Sequence, residues 1–164
     1  MSKKPVLDPC CGSRMFWFDK NDKRAIFCDN RVVESDIIWT SYDGRKTRVL
    51  TVKPDYVCDV CNLPFDPDSF YHVVLDPPHI LKGGNGWQTA KYGKLPDDWE
   101  EFISKAFDEC MRVLKPNGTL IFKWCEIDIP VSKILSIIKY KPLYGHRVGK
   151  LNKTHWIAFI KEEC

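Results

Sequence analysis

The sequence predicts an α/β fold, a mostly parallel, doubly wound sheet that finishes in an antiparallel hairpin. Short apolar runs rich in Val, Ile and aromatics recur at 5–8, 25–29, 56–59, 71–76, 119–124 and 155–160. They do not alternate strictly, which is the pattern of strands covered on both faces. Helical patterns separate the later runs, as a parallel sheet requires. Four runs, PVLD, AIFCD, YVCD and YHVVLD, end on an acid: Asp8, Asp29, Asp59 and Asp76.

In chain order, the first strand leads into the turn DPCCGSR, where Gly12 and Ser13 permit close approach to the backbone, and a short helix is expected from near Ser13. After the second strand, IIWTSYDGRKTRVLTV carries few helix signals and reads as a hairpin around Asp43-Gly44. The clearest helix runs from Asp97 to Leu114. There Trp99, Phe102, Ile103, Ala106, Phe107, Cys110, Met111 and Leu114 recur at helical spacing. Asp97 and Asp98 are placed to cap its start, and Pro116-Asn117-Gly118 to end it. Pro130 opens a second helix over Val131 to Ile138, and YGHRVGKLNKTHWIAFIK reads as a closing hairpin with a basic loop.

A chain of 164 residues suits a single domain over 1–164, with no room for a separate target-recognition domain. Hydrophobic residues at 44% and charged residues at 29% describe an ordinary globular protein, and a net charge of +3 permits a polyanionic partner without demanding one. No apolar run approaches the ~20 residues of a membrane span. The start MSKKP runs directly into a strand without a signal peptide, so a cytoplasmic location and no membrane partner are expected. In that compartment the eight cysteines should be reduced. Cys58-x2-Cys61, with Cys10 and Cys11, raises a zinc-bound interaction module as a rival. No second CxxC or spaced histidine pair completes such a site, so no metal is expected.

One acid at a strand end is an ordinary turn or helix cap. Four together matter more, because open α/β sheets bind ligands at the carboxyl ends of their strands. Acids after the first and second strands suit a ligand with a cationic group and a ribose. A pyrophosphate is poorly served, because the glycines of GxGxxG are missing.

Three stretches carry a resemblance: VLDPCCGS, CDVCNLPFDPDSFYHVVLDPPH and RVLKPNGTLIF. Together they resemble class I S-adenosylmethionine-dependent methyltransferases, and within them the small nucleic-acid amino methyltransferases with a DPPH motif. The resemblance covers roughly residues 5 to 160 and implies a Rossmann-like, seven-stranded class I methyltransferase fold. It implies S-adenosyl-L-methionine as cofactor, its methionine end against Asp8 and the turn Cys10, Cys11, Gly12 and Ser13. It further implies Asp29 at the ribose, and Asp59 at the adenine amino group with the Val60 backbone alongside. Arg14 departs from the pattern, since a further glycine is common there.

The resemblance gives Asp76-Pro77-Pro78-His79 a chemical purpose. An exocyclic amine on a base is a poor nucleophile, because its lone pair is delocalised into the ring. The Asp76 carboxylate can accept one amine hydrogen and a carbonyl fixed by Pro77-Pro78 the other, which aims the lone pair at an electrophilic methyl. His79 would lie against the flat face of the base. The long loop KGGNGWQTAKYGKLP suits a lid over a flipped or single-stranded base. Gly83, Gly84 and Gly86 offer mobility, Trp87 and Tyr92 stacking faces, and Lys82, Lys91 and Lys94 positive charge. Arg45, Lys46 and Arg48, and likewise His146, Arg147, Lys150 and Lys153, could add phosphate contacts.

The expected activity is methyl transfer to adenine N6 in DNA, with nucleic acid as partner and a second subunit or homodimer assisting target recognition. The alternatives are an RNA amino methyltransferase, acting on adenine N6 or guanine N2, and a non-catalytic cofactor-binding or zinc-binding module.

Overall fold

A computed structural model describes residues 4–40, 43–84, 86–147 and 152–163. The main sheet contains β1 (Val6–Asp8), β2 (Ala25–Asp29), β5 (Tyr56–Val57), β6 (Phe70–Leu75), β7 (Leu114–Cys125), β8 (Tyr144–Arg147) and β9 (Thr154–Ile160). Its seven strands lie in the order β5-β2-β1-β6-β7-β9-β8. They run parallel as far as β7, while β9 is antiparallel to both β7 and β8. This is the Rossmann-like methyltransferase fold with the predicted antiparallel C-terminal hairpin. The chain runs outward in one direction from β1 through β2 to β5, then returns to β6 and runs the other way. The strand order therefore reverses between β1 and β6, where a crevice opens at the carboxyl ends.

Between β2 and β5 lies the predicted hairpin, β3 (Val33–Thr40) and β4 (Thr47–Val52), paired as a separate two-stranded sheet with Val33 opposite Val52. Three helices complete the fold: α1 (Trp87–Tyr92), α2 (Trp99–Val113) and α3 (Val131–Ile137). The core forms where α2 turns Ile103, Ala106, Phe107, Cys110 and Met111 onto Leu7, Val73, Leu75, Leu120, Phe122 and Phe159. Each large side chain withdrawn from water there contributes about 1.5–3 kcal/mol. Phe107 meets Phe122 and Phe159 edge to face, with centroids 4.9 and 5.3 Å apart.

The fold departs from the sequence expectations in four places. No helix forms near Ser13; turns carry the chain from Pro9 to Arg24. Gly12 and Arg14 hold left-handed φ of 49° and 54°, and Asp19 and Asp22 accept from the Asn21 and Arg24 backbone N–H, at 2.8 and 2.9 Å. Such local bonds offer the backbone an alternative to helix. Asp59 and Asp76 lie just beyond β5 and β6 rather than within them. Asp98 occupies the N-cap of α2 without a side-chain cap bond, and Glu100 and Glu101 supply the acidic first turn instead. Pro116-Asn117-Gly118 falls inside β7, where Asn117 takes a φ of 63°. A Cβ on Gly118 would meet the Lys115 carbonyl at 2.8 Å, so the chain passes only because this residue is glycine.

The basic loop 148–151 lies outside the described residues, and with it Lys150. Among the described residues no helix is long and apolar enough to cross a membrane.

Candidate active site

Two adjoining clefts of about 50 and 40 Å³ open at the strand ends and share Cys10, Arg31, Asp76 and Tyr92. The first is walled by Asp29, Asn30, Cys58, Val60, Pro78 and Phe102. The second is walled by the Cys11–Ser13 turn, Phe16, Pro77, His79, Lys91 and Lys123. The strand reversal brings them together, since β1 delivers Cys10 and β6 delivers Asp76 from neighbouring parallel strands.

The turn after β1 is organised from behind. Asp29, 5% exposed, accepts the Gly12 N–H at 2.9 Å through Oδ2 and the Arg31 N–H at 3.0 Å through Oδ1. The Arg31 guanidinium adds an ion pair at 3.1 Å and donates onward to the Ala90 carbonyl of α1. A carboxylate accepts about four hydrogen bonds, so Asp29 keeps room for one more partner. Asn30 beside it lines the same cleft. Arg14 turns away from the crevice. Its guanidinium donates to the Lys53 carbonyl at 2.6 Å and lies 3.9 Å over the Phe27 ring. Its left-handed backbone explains why glycine is the residue to expect there.

Asp8 is wholly buried and stands behind the cleft wall rather than on it. Its carboxyl accepts from Trp17 Nε1 at 2.8 Å and from the Cys10 N–H at 3.3 Å. Burial pushes it up to about 7, with a smaller upward push from the nearby Asp76. Asp59 is exposed; it accepts from the Cys61 N–H at 2.9 Å and does not line either cleft, whereas Val60 does.

Asp76 lines both clefts, and its Oδ2 accepts from Lys123 Nζ at 2.6 Å. Burial raises this carboxyl, and the Lys123 charge pulls it back. His79 is only 6% exposed. Its ring lies 5.3 Å from Tyr92 and 6.4 Å from Trp124, and burial lowers its basicity. Tyr92 from α1 thus packs against the ring at a tilt of 52°, and His79 still lines the second cleft.

The segment 82–96, expected as a lid, is tied at both ends: Asp128 accepts from the Leu81 and Lys82 N–H, and Leu95 N–H donates to the Ile80 carbonyl. Gly83 serves close packing, because a Cβ there would meet Thr89 Oγ1 at 2.6 Å. Of the residues expected to bind substrate, Lys91 and Tyr92 line the cleft. Trp87 instead faces the β3–β4 hairpin, with Arg48 5.5 Å over its ring, and Lys94 is exposed.

Arg31, Phe102, Phe16 and Lys123 escaped the sequence reading. Arg31, two residues past Asp29, carried a signal in its spacing; the other three are brought in by pairing and packing. The two cysteines of CxxC have different partners. Cys58 neighbours Cys28, and Cys61 donates to the Phe102 carbonyl at 3.5 Å. Among the described residues, no three His, Cys, Asp or Glu side chains gather in a metal-sized group.

No known family profile matches the sequence, and no curated protein matches it. Solved structures do. The chain is similar to a SAM-dependent methyltransferase from Methanosarcina mazei, with a TM-score of 0.54 and 13% identity over 99% of this chain and 94% of that one. It is similar to the putative methyltransferase in a Haloferax volcanii complex with the Trm112 methyltransferase activator, at a TM-score of 0.55 and 14% identity over 99% and 83% of the two chains. A third is the Burkholderia thailandensis 1,6-didemethyltoxoflavin-N1-methyltransferase with bound 1,6-didemethyltoxoflavin and S-adenosylhomocysteine. It matches at a TM-score of 0.50 and 14% identity over 98% and 72%. At such identities the likeness is one of fold.

Proposed function

We propose that this protein is an S-adenosylmethionine-dependent methyltransferase acting on an exocyclic amino group of a nucleic-acid base, adenine N6 in DNA. The observation that carries the reading is Asp76-Pro77-Pro78 at the junction of two clefts, one suited to a cofactor and one to a flat base.

The lining of the first cleft matches the chemistry of an adenosine. Val60 and Phe102 offer apolar walls, and Asp29 with Asn30 offers polar partners for ribose hydroxyls. The buried Asp8 supports the turn against which a cationic amino-acid end would rest. When bound, the cofactor supplies a sulfonium methyl whose bonding electrons return to sulfur as the amine attacks. Asp76 and the backbone carbonyls beside Pro77 and Pro78 hold the amine hydrogens and so orient its lone pair. After attack the nitrogen sheds one proton, which the Asp76 carboxylate is placed to take and pass to water.

Nucleic acid as partner is supported by the rim. The hairpin presents Arg45 and Lys46 beside Arg48, which meets lid Trp87, and Lys91 borders the cleft. Such a mixture of cations and stacking faces suits a single or flipped strand.

The test combines purified protein and radiolabelled cofactor with duplex DNA, single-stranded DNA and total bacterial RNA, followed by digestion to nucleosides. Label in N6-methyladenine from DNA is expected. Label confined to RNA would transfer the reading to an RNA amino methyltransferase, and no label in any pool would overturn it.

A further inference from the structure

Asp76 has a companion that amine orientation alone does not require. β6 and β7 run parallel with Leu75 opposite Phe122, which sets Asp76 beside Lys123. The two side chains meet at 2.6 Å while only 16% and 20% exposed, and both line the second cleft. Such a pair burdens the fold. Each ion loses several kcal/mol of hydration, and apolar replacements are often neutral or stabilising. Lys123 also lies among aromatic faces, its Nζ 5.6 Å from the Phe16 centroid and 5.8 Å from that of Trp156. An ammonium carries three donors, and among the described residues one is spent on Asp76. On Asp76 the engaged oxygen is Oδ2, and the residue lines both clefts.

The pair therefore presents an acceptor and a donor side by side in the wall of the second cleft. We propose that Asp76 and Lys123 form one recognition edge for a base whose amino group neighbours an unprotonated ring nitrogen, with Lys123 the specificity-determining residue. Asp76 takes the amine hydrogen, and Lys123 donates to the adjacent nitrogen. Adenine fits through N6–H with N1 or N7, and cytosine through N4–H with N3. A ring carrying C–H at that position leaves a Lys123 donor without a partner, and an unpaired buried donor is costly. This inference rests on the methyl-transfer reading.

The experiment uses oligonucleotides carrying, at the methylated position, adenine, 1-deazaadenine or 7-deazaadenine. Both methylation and equilibrium binding by fluorescence anisotropy with S-adenosylhomocysteine are measured. The wild type should prefer adenine over one of the two analogues by about 10- to 100-fold, the range of a hydrogen bond to a charged group. In Lys123→Met the preference should shrink to within about twofold, and Lys123→Arg should restore part of it. Binding keeps the test decisive if Lys123→Met loses turnover. Equal preference in wild type and Lys123→Met would overturn the role of Lys123 while leaving the methyl-transfer reading intact. A wild type that methylates no nucleic acid would remove that reading, and this inference with it.

Discussion

Asp8 and Asp76 stand at the ends of neighbouring parallel strands, the first buried and the second half-buried, yet their surroundings differ in kind. Among the described residues Asp8 has only neutral donors, the Trp17 indole and the Cys10 amide, and burial lifts its carboxyl to about 7. Asp76 has an ammonium 2.6 Å away. One residue type at one kind of position thus serves two purposes. On the β1 side the acid is poised between neutral and charged, and its task is to shape a turn. On the β6 side burial also raises the carboxyl, but Lys123 pulls it back towards the charged form, and Asp76 lines the cleft where a reacting group would sit. Strand-end position supplies a carboxyl; the neighbour decides what that carboxyl does.

The largest effect expected from breaking this contrast is on Asp76. Asp76→Ala should cut methyl transfer by about a thousandfold or more, on the scale of a lost charge-stabilising group. Cofactor affinity by calorimetry should stay within about twofold. Full transfer activity in this variant would remove the carboxylate from the chemistry.

Asp29→Ala acts on the other half of the site. It frees the Gly12 N–H and the Arg31 guanidinium together, so cofactor affinity should weaken by about 10- to 100-fold. Wild-type affinity in Asp29→Ala would show that the turn holds its shape without that carboxylate.

The poise of Asp8 gives a pH signature. Its carboxyl rises from 3.8 to about 7 on folding, so the protonated form is the one the fold favours. Its contribution to stability is fully present below about 3.8, declines above that value and is gone once the pH has passed about 7. A cationic ligand prefers the ionised form, so cofactor binding should tighten as pH rises through about 7 and release a proton below it. Titrations between about pH 5.5 and 8.5 should show this slope, and Asp8→Asn should flatten it. A wild-type profile as flat as that of the variant would place the titrating group elsewhere.

Trp17→Phe should produce the smallest change. Removing the indole donor takes away a bond that lowers the Asp8 carboxyl, so the midpoint of the same profile should move upward. Stability above neutral pH should fall by about 1 kcal/mol, read by chemical denaturation. A downward midpoint would contradict the assignment of that bond.

Much of the fold was legible because its signals are local. Apolar runs marked the strands of the main sheet, the spacing from Trp99 to Leu114 marked α2, and Asp43-Gly44 marked the hairpin that replaces a helix between β2 and β5. The segment after Ser13 failed as a helix because competing local bonds from Asp19 and Asp22, and two left-handed residues, outweigh weak helical pattern. Around the clefts, Asp29, the Cys10–Ser13 turn and Asp-Pro-Pro-His could be read directly, whereas Asp59 lines neither cleft and Asp8 stands behind the wall. His79 could be found but not its surroundings, because Tyr92 reaches it from a separate element.

By itself the sequence determined the strand-and-helix alternation, the acids at the strand ends and the stiff Pro77-Pro78 turn, all properties of neighbouring residues. Only the tertiary structure decided which acid acquires a cation, which stays among neutral donors, and where Arg14 points. Lys123 shows why. It lies 47 residues from Asp76, and only the parallel register of β6 and β7 sets the two side by side. Burial and pairing between distant residues set the charge of a group, and neither is written in the spacing of a single segment.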